Sequence, residues 1–290
     1  MTAPVEDGPS DSATGTPRQR GSGAPDDGEQ VSLSCQARDE VSIDAILGGR
    51  VEIIQQVRGG VRCGHDAVLL AATIADRTQG HIVDLGAGTG AVGFMAAARA
   101  SGVTVSCVEC DRTSLGLAAR ALERPLNQAF RDRVELVEGD VRDLPSTWQP
   151  GVAKAHAVLI NPPYFRAGEG RRSPDRRRQK ARGLDRDGLA PWLLAARRLL
   201  MPGGLLGLVL PPYLLSDALH PAFGDTQLFP VMSREGRPAV RLIITSRLGR
   251  RGGLKIMPPL ILHRNDEQAL APISQALFDG VIDLERAVAG

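Results

Sequence analysis

The 290-residue sequence is short of aromatic residues, lysine and cysteine, and it has no long apolar run. Aromatic residues make up 3% of the chain, with only two tyrosines and two tryptophans. No apolar run approaches the roughly 18 residues that a membrane span requires. No stretch combines the basic start, apolar run and small-residue cleavage site of a signal peptide. The sequence therefore predicts a cytoplasmic protein that does not enter a membrane.

Lysine is almost absent, since only Lys154, Lys180 and Lys255 occur among the 35 basic residues. A GC-rich genome explains such a bias, and so would a phosphate-bearing partner, because arginine binds phosphate through a planar fork. Composition alone favours the first explanation. Of the net charge of +2, residues 1–30 contribute −4 and the remaining residues +6. The part of the chain that is expected to fold is therefore mildly basic.

The four cysteines are Cys35, Cys63, Cys107 and Cys110, and their spacing predicts no disulfide framework. A reducing compartment would keep them as thiols. Cys107 and Cys110 form a CxxC pair inside the strand-like run VTVSCVECD, without the second pair that would complete a zinc site. We expect buried strand thiols and no metal.

Three regions differ in composition. Residues 1–38 are predicted to be a disordered tail, because the first 30 contain almost no large apolar side chains to offset the entropy of ordering. Residues 39–80 are predicted to form an N-terminal segment of two short strands with glycine-rich turns, followed by a helix from about Asp66 to Asp76. Residues 81–290 are predicted to form the main domain.

The main domain alternates short apolar runs with helical patterns, which is typical of βαβ units and a parallel sheet. Five such runs occur up to Leu210, and they predict a doubly wound α/β fold. The pattern then changes to two strand-like runs, TQLFPVMS and AVRLIITSR, with a short turn between them. We expect these runs to form a hairpin that ends the sheet with an antiparallel edge.

A glycine loop follows the first strand of this domain. The run VDLGAGTGAVG places Gly86, Gly88 and Gly90 between an apolar strand and a helix. Such a loop turns tightly and offers backbone amides at the positive end of the helix, which suits a nucleotide-like cofactor. The glycines alone leave nicotinamide and flavin cofactors open, and some glycine loops only let a helix pack closely on its strand.

Acidic residues at three successive strand ends narrow the choice. Asp84 precedes the loop, where its carboxylate would repel a pyrophosphate but suit an ammonium group. Glu109 ends the second strand, where it could accept both ribose hydroxyls. Asp140 ends the third, where it could accept from an adenine amino group. Each acid alone is typical of a solvated strand end or a cap, but the three together indicate S-adenosyl-L-methionine.

The fourth strand-like run, AHAVLI, is followed directly by Asn161, Pro162, Pro163 and Tyr164. An amine on an aromatic ring is a poor nucleophile because its lone pair is delocalised. The Asn161 side-chain oxygen and the Pro162 carbonyl could hold it in its reactive pyramidal form, while the prolines add no N–H group. Tyr164 could stack on the substrate ring. The motif therefore predicts methylation of a planar nitrogen, driven by positioning rather than by a strong base.

These motifs resemble those of the class I methyltransferases that modify exocyclic or amide nitrogens, and the resemblance extends from Asp39 to the C terminus. Three stretches are most similar to the tRNA adenine-N6 methyltransferase family that acts on the purine beside the anticodon of valine tRNA. They are LGGRVEIIQ...GGVRCGHDAVLLAA, NPPYF and LKIMPPLILH. The resemblance implies a Rossmann-like class I fold with a mostly parallel seven-stranded sheet, and the N6 amine of an RNA adenine as the target.

The resemblance also implies a set of site residues. Those that would hold the cofactor are Arg62, Gly64, Asp66, Asp84, Gly86, Gly88, Gly90, Glu109, Asp140 and Asn161. Those that would hold the adenine are Asn161, Pro162, Pro163 and Tyr164. His65 lies in the same stretch, and we expect it to be a packed residue rather than a base.

An arginine-rich segment begins two residues after Tyr164. Its basic residues are Arg166, Arg171, Arg172, Arg176, Arg177, Arg178, Lys180 and Arg182, against Glu169 and Asp175. A charge run is usually a solvated loop. Here the phosphates that flank a flipped-out base would lie within reach, so we expect the segment to bind RNA, and tRNA in particular.

Four alternatives remain open at this point. Glutamine methylation of a release factor needs the same acceptors, but that family usually carries a longer helical N-terminal domain. A guanine-N2 enzyme is possible, and so is a DNA methyltransferase, although no target-recognition domain is evident. A non-catalytic RNA-binding module would require a departure in the motifs, and none is found. The oligomeric state is not determined by these patterns.

Overall fold

The computed structural model describes residues 40–58, 63–144, 154–166, 183–184, 188–264 and 268–289. The predicted tail, residues 1–38, lies outside the described residues. Within these ranges, no helix has both the length and the apolar content that crossing a membrane would require.

The N-terminal segment has the two predicted strands and the predicted helix. Strands β1 (Val41–Ile46) and β2 (Val51–Gln56) form an antiparallel hairpin. Helix α1 (His65–Ala71) follows, and it ends five residues before the predicted boundary at Asp76. The buried side chains of β2 and α1 belong to the same apolar core as those of the main domain, so the segment packs as part of it.

The remaining strands are numbered along the chain. They are β3 (Gln79–Leu85), β4 (Gly102–Glu109), β5 (Val134–Glu138), β6 (Ala155–Ile160), β7 (Phe165–Arg166), β8 (Gly183–Leu184), β9 (Leu200–Leu210), β10 (Phe223–Met232), β11 (Ala239–Leu248), β12 (Leu254–Ile256) and β13 (Leu260–Ile261). Strands β7 and β8 pair only with each other. All the others except β1 and β2 belong to one sheet.

The order across this sheet is β12-β10-β11-β9-β6-β3-β4-β5, with β13 beside β10. Neighbouring strands from β5 to β9 are parallel, whereas β11 is antiparallel to both β9 and β10. The predicted doubly wound, mostly parallel sheet with an antiparallel edge is therefore confirmed. Strands β12 and β13 pair with β10 and extend the predicted seven strands to nine among the described residues.

Helices cover both faces of the sheet. After α1 they are α2 (Ala91–Arg99), α3 (Arg112–Leu122), α4 (Ala190–Leu199), α5 (Leu215–Ala218), α6 (Pro272–Phe278) and α7 (Leu284–Ala289). One core contains Ile82 of β3 with the buried side chains of α1, α2 and α3, and the other contains Val83 with those of α4. Alternate residues of β3 thus face opposite cores, which is why the second half of the strand, from Ile82 to Leu85, is buried on both faces.

A crevice at the carboxyl edge of the sheet follows from this strand order. The chain runs outward from β3 through β4 to β5 and then returns to β6 on the other side of β3. The connections leaving β3 and β6 therefore diverge, and ligands of open α/β sheets bind at such a switch point. Leu85 pairs with Ile160, so Gly86 and Asn161 leave the sheet side by side.

Candidate active site

The glycine loop between β3 and α2 has a backbone that only glycine adopts readily. Gly86, Gly88 and Gly90 all have positive φ, at 76°, 57° and 87°. A Cβ atom on Gly86 would lie 2.7 Å from the ring of Trp192, and one on Gly90 would lie 2.6 Å from that of Phe94. A Cβ atom on Gly88 would meet nothing within 4 Å. Gly86 and Gly90 therefore permit close packing, and Gly88 borders open space that a ligand can enter.

The amides of this loop are used within the protein. Those of Gly86 and Ala87 both donate to the Val108 carbonyl at 2.9 Å, and that of Gly88 donates to Glu109 Oε2 at 2.8 Å. The amides of Gly86, Ala87 and Gly88 are thus engaged within the protein, whereas a pyrophosphate binds at a helix N-terminus through unengaged amides. The expectation that amides at the start of α2 contact the cofactor stays a prediction.

Glu109 connects the glycine loop to the end of β4. Its Oε2 atom accepts from Gly88, and its Oε1 atom accepts from the Asp111 amide at 2.8 Å. The Cys110 thiol is a third donor, 3.5 Å from Glu109 Oε1. A carboxylate has about four acceptor positions, so Glu109 keeps one position for a ribose hydroxyl. The Glu109 side chain is half-buried, and Gly88 beside it borders open space. Its geometry thus suits the predicted ribose contact.

Asp140 lies two residues beyond β5 and beside Glu109, because the Gly139 amide donates to the Glu109 carbonyl at 3.1 Å. Its carboxylate accepts from the Arg142 amide at 2.9 Å and lies 3.5 Å from the Arg142 guanidinium. The Asp140 side chain is 39% exposed. It remains accessible at the same edge as Glu109, as an adenine contact requires.

Asp84 differs from the other two acids because it is 1% exposed. It lies on the α2 side of β3, and its Oδ2 atom accepts from the Gly93 amide at 2.8 Å. The residue before α2, Gly90, has no side chain to cap the helix, so Asp84 satisfies one of the amides that a helix start leaves unpaired. Burial raises the pKa of Asp84 to about 7, the Gly93 amide lowers it, and the charge of Glu109 raises it further. Its predicted contact with a ligand ammonium group stays a prediction.

The NPPY residues lie at the end of β6, between β3 and β9. The Tyr164 hydroxyl lies 2.5 Å from Asn161 Oδ1 and 2.7 Å from the Val209 carbonyl. A phenol has one proton and can donate to only one of these oxygens at a time. When it donates to Val209, the Asn161 oxygen keeps its acceptor capacity for a substrate amine.

Tyr164 is packed against both apolar cores and is only partly exposed. Burial, and then the negative charge of Asp66, raise the pKa of its phenol, so Tyr164 stays a neutral donor. Ile160, before Asn161, is fully buried in β6, and Pro162, after it, is buried as well, so the backbone around Asn161 is held on both sides. The position of Asn161 is therefore defined by its strand, by the prolines and by the phenol.

An ion pair supports Tyr164 from the other side. Asp66 Oδ2 accepts from Arg241 Nε at 2.8 Å, and the Arg241 guanidinium carbon lies 5.4 Å from the centre of the Tyr164 ring. The structure thus brings Asp66 to the active edge, two residues after the exposed Gly64. Arg62, which was predicted to accompany them, lies outside the described residues.

The histidine and cysteine residues near the site differ in their surroundings. His65 makes an edge contact with Phe278, with ring centres 4.9 Å apart, and burial lowers its pKa, as expected for a packed residue. Cys107 is buried in β4 as predicted, but Cys110 is exposed. The prediction for Cys110 was wrong because β4 ends at Glu109, one residue earlier.

The arginine-rich segment begins at this edge. Strand β7 contains the backbone of Arg166, and β7 pairs in parallel with β8, so residues 166 and 184 are neighbours. The other predicted RNA-binding residues, Arg171, Arg172, Arg176, Arg177, Arg178, Lys180 and Arg182, lie outside the described residues. The described residues on either side of them, Phe165–Arg166 and Gly183–Leu184, pair directly after the NPPY motif.

Two residues near the site were missed by the sequence analysis. Arg241 belongs to β11, whose first residues lie at the carboxyl edge only because β11 is antiparallel to β9. Tyr213 follows β9 in a second Pro-Pro-Tyr run, LPPYLL, and its hydroxyl donates to the Tyr164 carbonyl. The repeated Pro-Pro-Tyr run was a visible signal for Tyr213, whereas Arg241 had none.

Comparison with known proteins identifies the class. Residues 62–230, more than half of the chain, match the methyltransferase small domain family, and the chain belongs to that family. Its class is that of the S-adenosyl-L-methionine-dependent methyltransferases. The open space at Gly88, the free acceptor capacity of Glu109 and the accessible carboxylate of Asp140 fit this cofactor.

Individual relatives narrow the class. The tRNA1(Val) (adenine(37)-N6)-methyltransferase of Aeromonas salmonicida is 30% identical over 198 residues, which cover 66% of this chain and 78% of the relative. That of Shewanella putrefaciens is 32% identical over 168 residues, covering 58% and 67%. The chain is thus a member of the tRNA1(Val) (adenine(37)-N6)-methyltransferase family, and the resemblance noted from its motifs is confirmed.

A solved structure has the same fold. It is described as a predicted O-methyltransferase from Agrobacterium tumefaciens, and it is 31% identical to this chain. The comparison has a TM-score of 0.63 and covers 75% of this chain and 97% of that one. The Rossmann-like methyltransferase architecture is therefore shared well beyond the glycine loop.

Proposed function

We propose that this protein methylates the N6 amine of adenine 37 in tRNA1(Val), the substrate that the names of its relatives give. The observation that carries the proposal is the position of the Asn161 side-chain oxygen at the switch point. It lies 2.5 Å from the Tyr164 hydroxyl, which can donate its hydrogen bond to the Val209 carbonyl instead. An oxygen in this position can accept from an incoming amine. A second acceptor, the Pro162 carbonyl, belongs to the next residue.

Each residue has a role that follows from its position. Glu109 would accept from the ribose and Asp140 from the adenine amino group of the cofactor, while Gly88 leaves the space in which the cofactor lies. S-adenosyl-L-methionine supplies an electrophilic methyl group on its sulfonium sulfur. Asn161 and Pro162 would hold the substrate amine so that its lone pair is localised and aimed, which is catalysis by orientation.

The same geometry argues against a hydroxyl substrate, although one structural relative is described as an O-methyltransferase. A hydroxyl group needs a base to remove its proton before or during transfer. Asn161 cannot accept a proton, and the raised pKa keeps the neighbouring Tyr164 phenol protonated. A ring amine needs only hydrogen-bond acceptors, and these are what Asn161 and Pro162 provide.

RNA binding is assigned to the arginine-rich segment. Its eight basic and two acidic residues give a charge of +6 within the 17 positions from Arg166 to Arg182. The pairing of β7 with β8 keeps Arg166, the first residue of the segment, and Gly183, the residue after it, next to the NPPY motif. Basic side chains there would bind the phosphates beside the target nucleotide.

The test uses purified protein, S-adenosyl-L-methionine and an unmodified tRNA1(Val) transcript, followed by digestion and mass spectrometry. We expect N6-methyladenosine at position 37, and none in a transcript with guanosine at that position. Asn161→Ala should lose roughly 100-fold or more in turnover while it still binds S-adenosyl-L-methionine, because the main role of Asn161 is to hold the amine. Normal turnover of this variant would refute the assignment. Methylation of a release factor instead of the transcript would support the glutamine alternative.

A further inference from the structure

The chain contains only two tyrosines, Tyr164 and Tyr213, and both end a Pro-Pro-Tyr run at the carboxyl edge of the sheet. The runs follow β6 and β9, which are adjacent and parallel. The Tyr213 hydroxyl donates to the backbone carbonyl of Tyr164. In a chain with 3% aromatic residues, both phenols therefore lie at the catalytic loop.

The two tyrosines differ in what they present to the crevice. The Tyr164 ring packs against both cores, carries the Arg241 guanidinium 5.4 Å from its centre and directs its hydroxyl towards Asn161 and Val209. Tyr213, in contrast, is 52% exposed. Tyr164 is thus built to position Asn161, whereas Tyr213 presents a large aromatic surface to solvent.

Tyr213 is also rigidly held. Pro212 begins a short 3-10 helix, and Leu214, the next residue after Tyr213, is 1% exposed. Proline fixes the backbone before the ring, the buried leucine anchors the backbone after it, and the hydroxyl is tied to the Tyr164 carbonyl. A single exposed aromatic residue means little by itself. One that is fixed on three sides beside the substrate-binding loop loses little conformational entropy when a partner stacks on it.

We propose that Tyr213 is a substrate-binding residue whose ring stacks on the RNA adenine that is delivered to Asn161, and that Tyr164 is a positioning residue. This inference rests on the proposed function, because it assumes an unpaired RNA base as the substrate. It transfers the stacking role expected for Tyr164 to Tyr213. Stacking on an aromatic side chain is the common way in which proteins hold an unpaired RNA base.

The test compares two variants of Tyr213 with a matched control. Tyr213→Leu removes the ring, Tyr213→Phe keeps the ring and removes the hydroxyl, and Leu219→Ala shortens a side chain of similar exposure, 45%, in the same region. We expect Tyr213→Leu to raise KM for the tRNA1(Val) transcript by roughly tenfold or more, which corresponds to the loss of one base stack. Tyr213→Phe and Leu219→Ala should stay within about threefold of the unmodified protein, and calorimetric affinity for S-adenosyl-L-methionine should stay constant in all three.

A binding measurement tests the stack directly. An anticodon stem-loop with 2-aminopurine in place of adenine 37 should lose fluorescence when it stacks on the ring of the unmodified protein, and Tyr213→Leu should restore the signal. If Tyr213→Leu has the KM and the fluorescence of the unmodified protein, this inference is wrong, but the proposed function is not affected. A Tyr213→Phe variant as defective as Tyr213→Leu would also overturn it, because the hydroxyl would then be the essential group. If the unmodified protein leaves the transcript unmethylated, the proposed function fails and this inference with it.

Discussion

Replacement of Asp84 by asparagine should change how the stability of this protein depends on pH. Asp84 is 1% exposed, and burial raises its pKa from 3.8 to about 7. The asparagine would keep an oxygen that can accept from the Gly93 amide, so the capping of α2 is preserved while the titrating group is removed. The comparison of the two proteins therefore measures the effect on stability of the single proton that Asp84 binds.

The sign follows from linkage. Between pH 4 and pH 7 the folded protein holds a proton on Asp84 that the unfolded chain has released, so the free energy of unfolding falls as pH rises. This proton can contribute a slope of up to about 1.4 kcal/mol per pH unit. The contribution of protonated Asp84 to the free energy of unfolding is fully present below about pH 4, and it is lost as pH rises through 7. From pH 5 to pH 7 we expect the unmodified protein to lose about 2 kcal/mol relative to Asp84→Asn.

Urea unfolding at pH 5, 6, 7 and 8 provides the measurement. The difference between the two free energies of unfolding should change up to about pH 7 and level off by about pH 8, because other carboxylates titrate alike in both proteins. Parallel profiles would refute the burial argument. Affinity for S-adenosyl-L-methionine should rise with pH only in the unmodified protein if Asp84 faces an ammonium group, as its strand-end position predicts. If the affinity of both proteins depends on pH in the same way, Asp84 only caps α2 and does not contact the cofactor.

Two further predictions concern the support of the NPPY loop and the RNA. Arg241→Gln removes the contact with the Tyr164 ring, worth about 0.5–1 kcal/mol, and should lower kcat/KM by roughly two- to fivefold. Asp66→Asn should lower kcat/KM by a similar factor, because Asp66 holds Arg241 through their ion pair. In a double-mutant cycle, the variant with both changes should have the kcat/KM of either single variant, and additive losses would disprove the coupling between the two residues. Replacing Arg176, Arg177 and Arg178 together by glutamine should weaken tRNA binding and reduce the slope of log affinity against log salt by up to about 3, and an unchanged slope would exclude phosphate contact.

The order of motifs along the chain made the fold predictable, together with the site residues that lie at strand ends. A doubly wound sheet places the carboxyl ends of its parallel strands at one edge, so any residue that directly follows such a strand can be assigned to that edge from sequence. Gly88, Glu109, Asp140 and Asn161 lie at the end of such a strand or within three residues beyond it, and the structure brings them to that edge. Their roles in binding and catalysis are still to be tested by experiment.

Contacts between distant segments could not be predicted in this way. Arg241 reaches Tyr164 because β11, although later in the chain than β10, inserts next to β9 and runs antiparallel to it. Strand pairing over such distances depends on how the apolar faces pack, which no local pattern records. The contact between Asp84 and α2 could not be predicted either. It arises because the alternation of side chains along β3 places Asp84 on the face of the sheet that α2 covers.

The amino-acid sequence by itself therefore determined the type of fold and which strand-end residues reach the carboxyl edge of the sheet, because both depend on neighbours in the chain. Only the tertiary structure decided which tyrosine is buried and which is exposed, and which acid caps a helix. Those outcomes depend on which side chains the packed sheet and helices exclude from water.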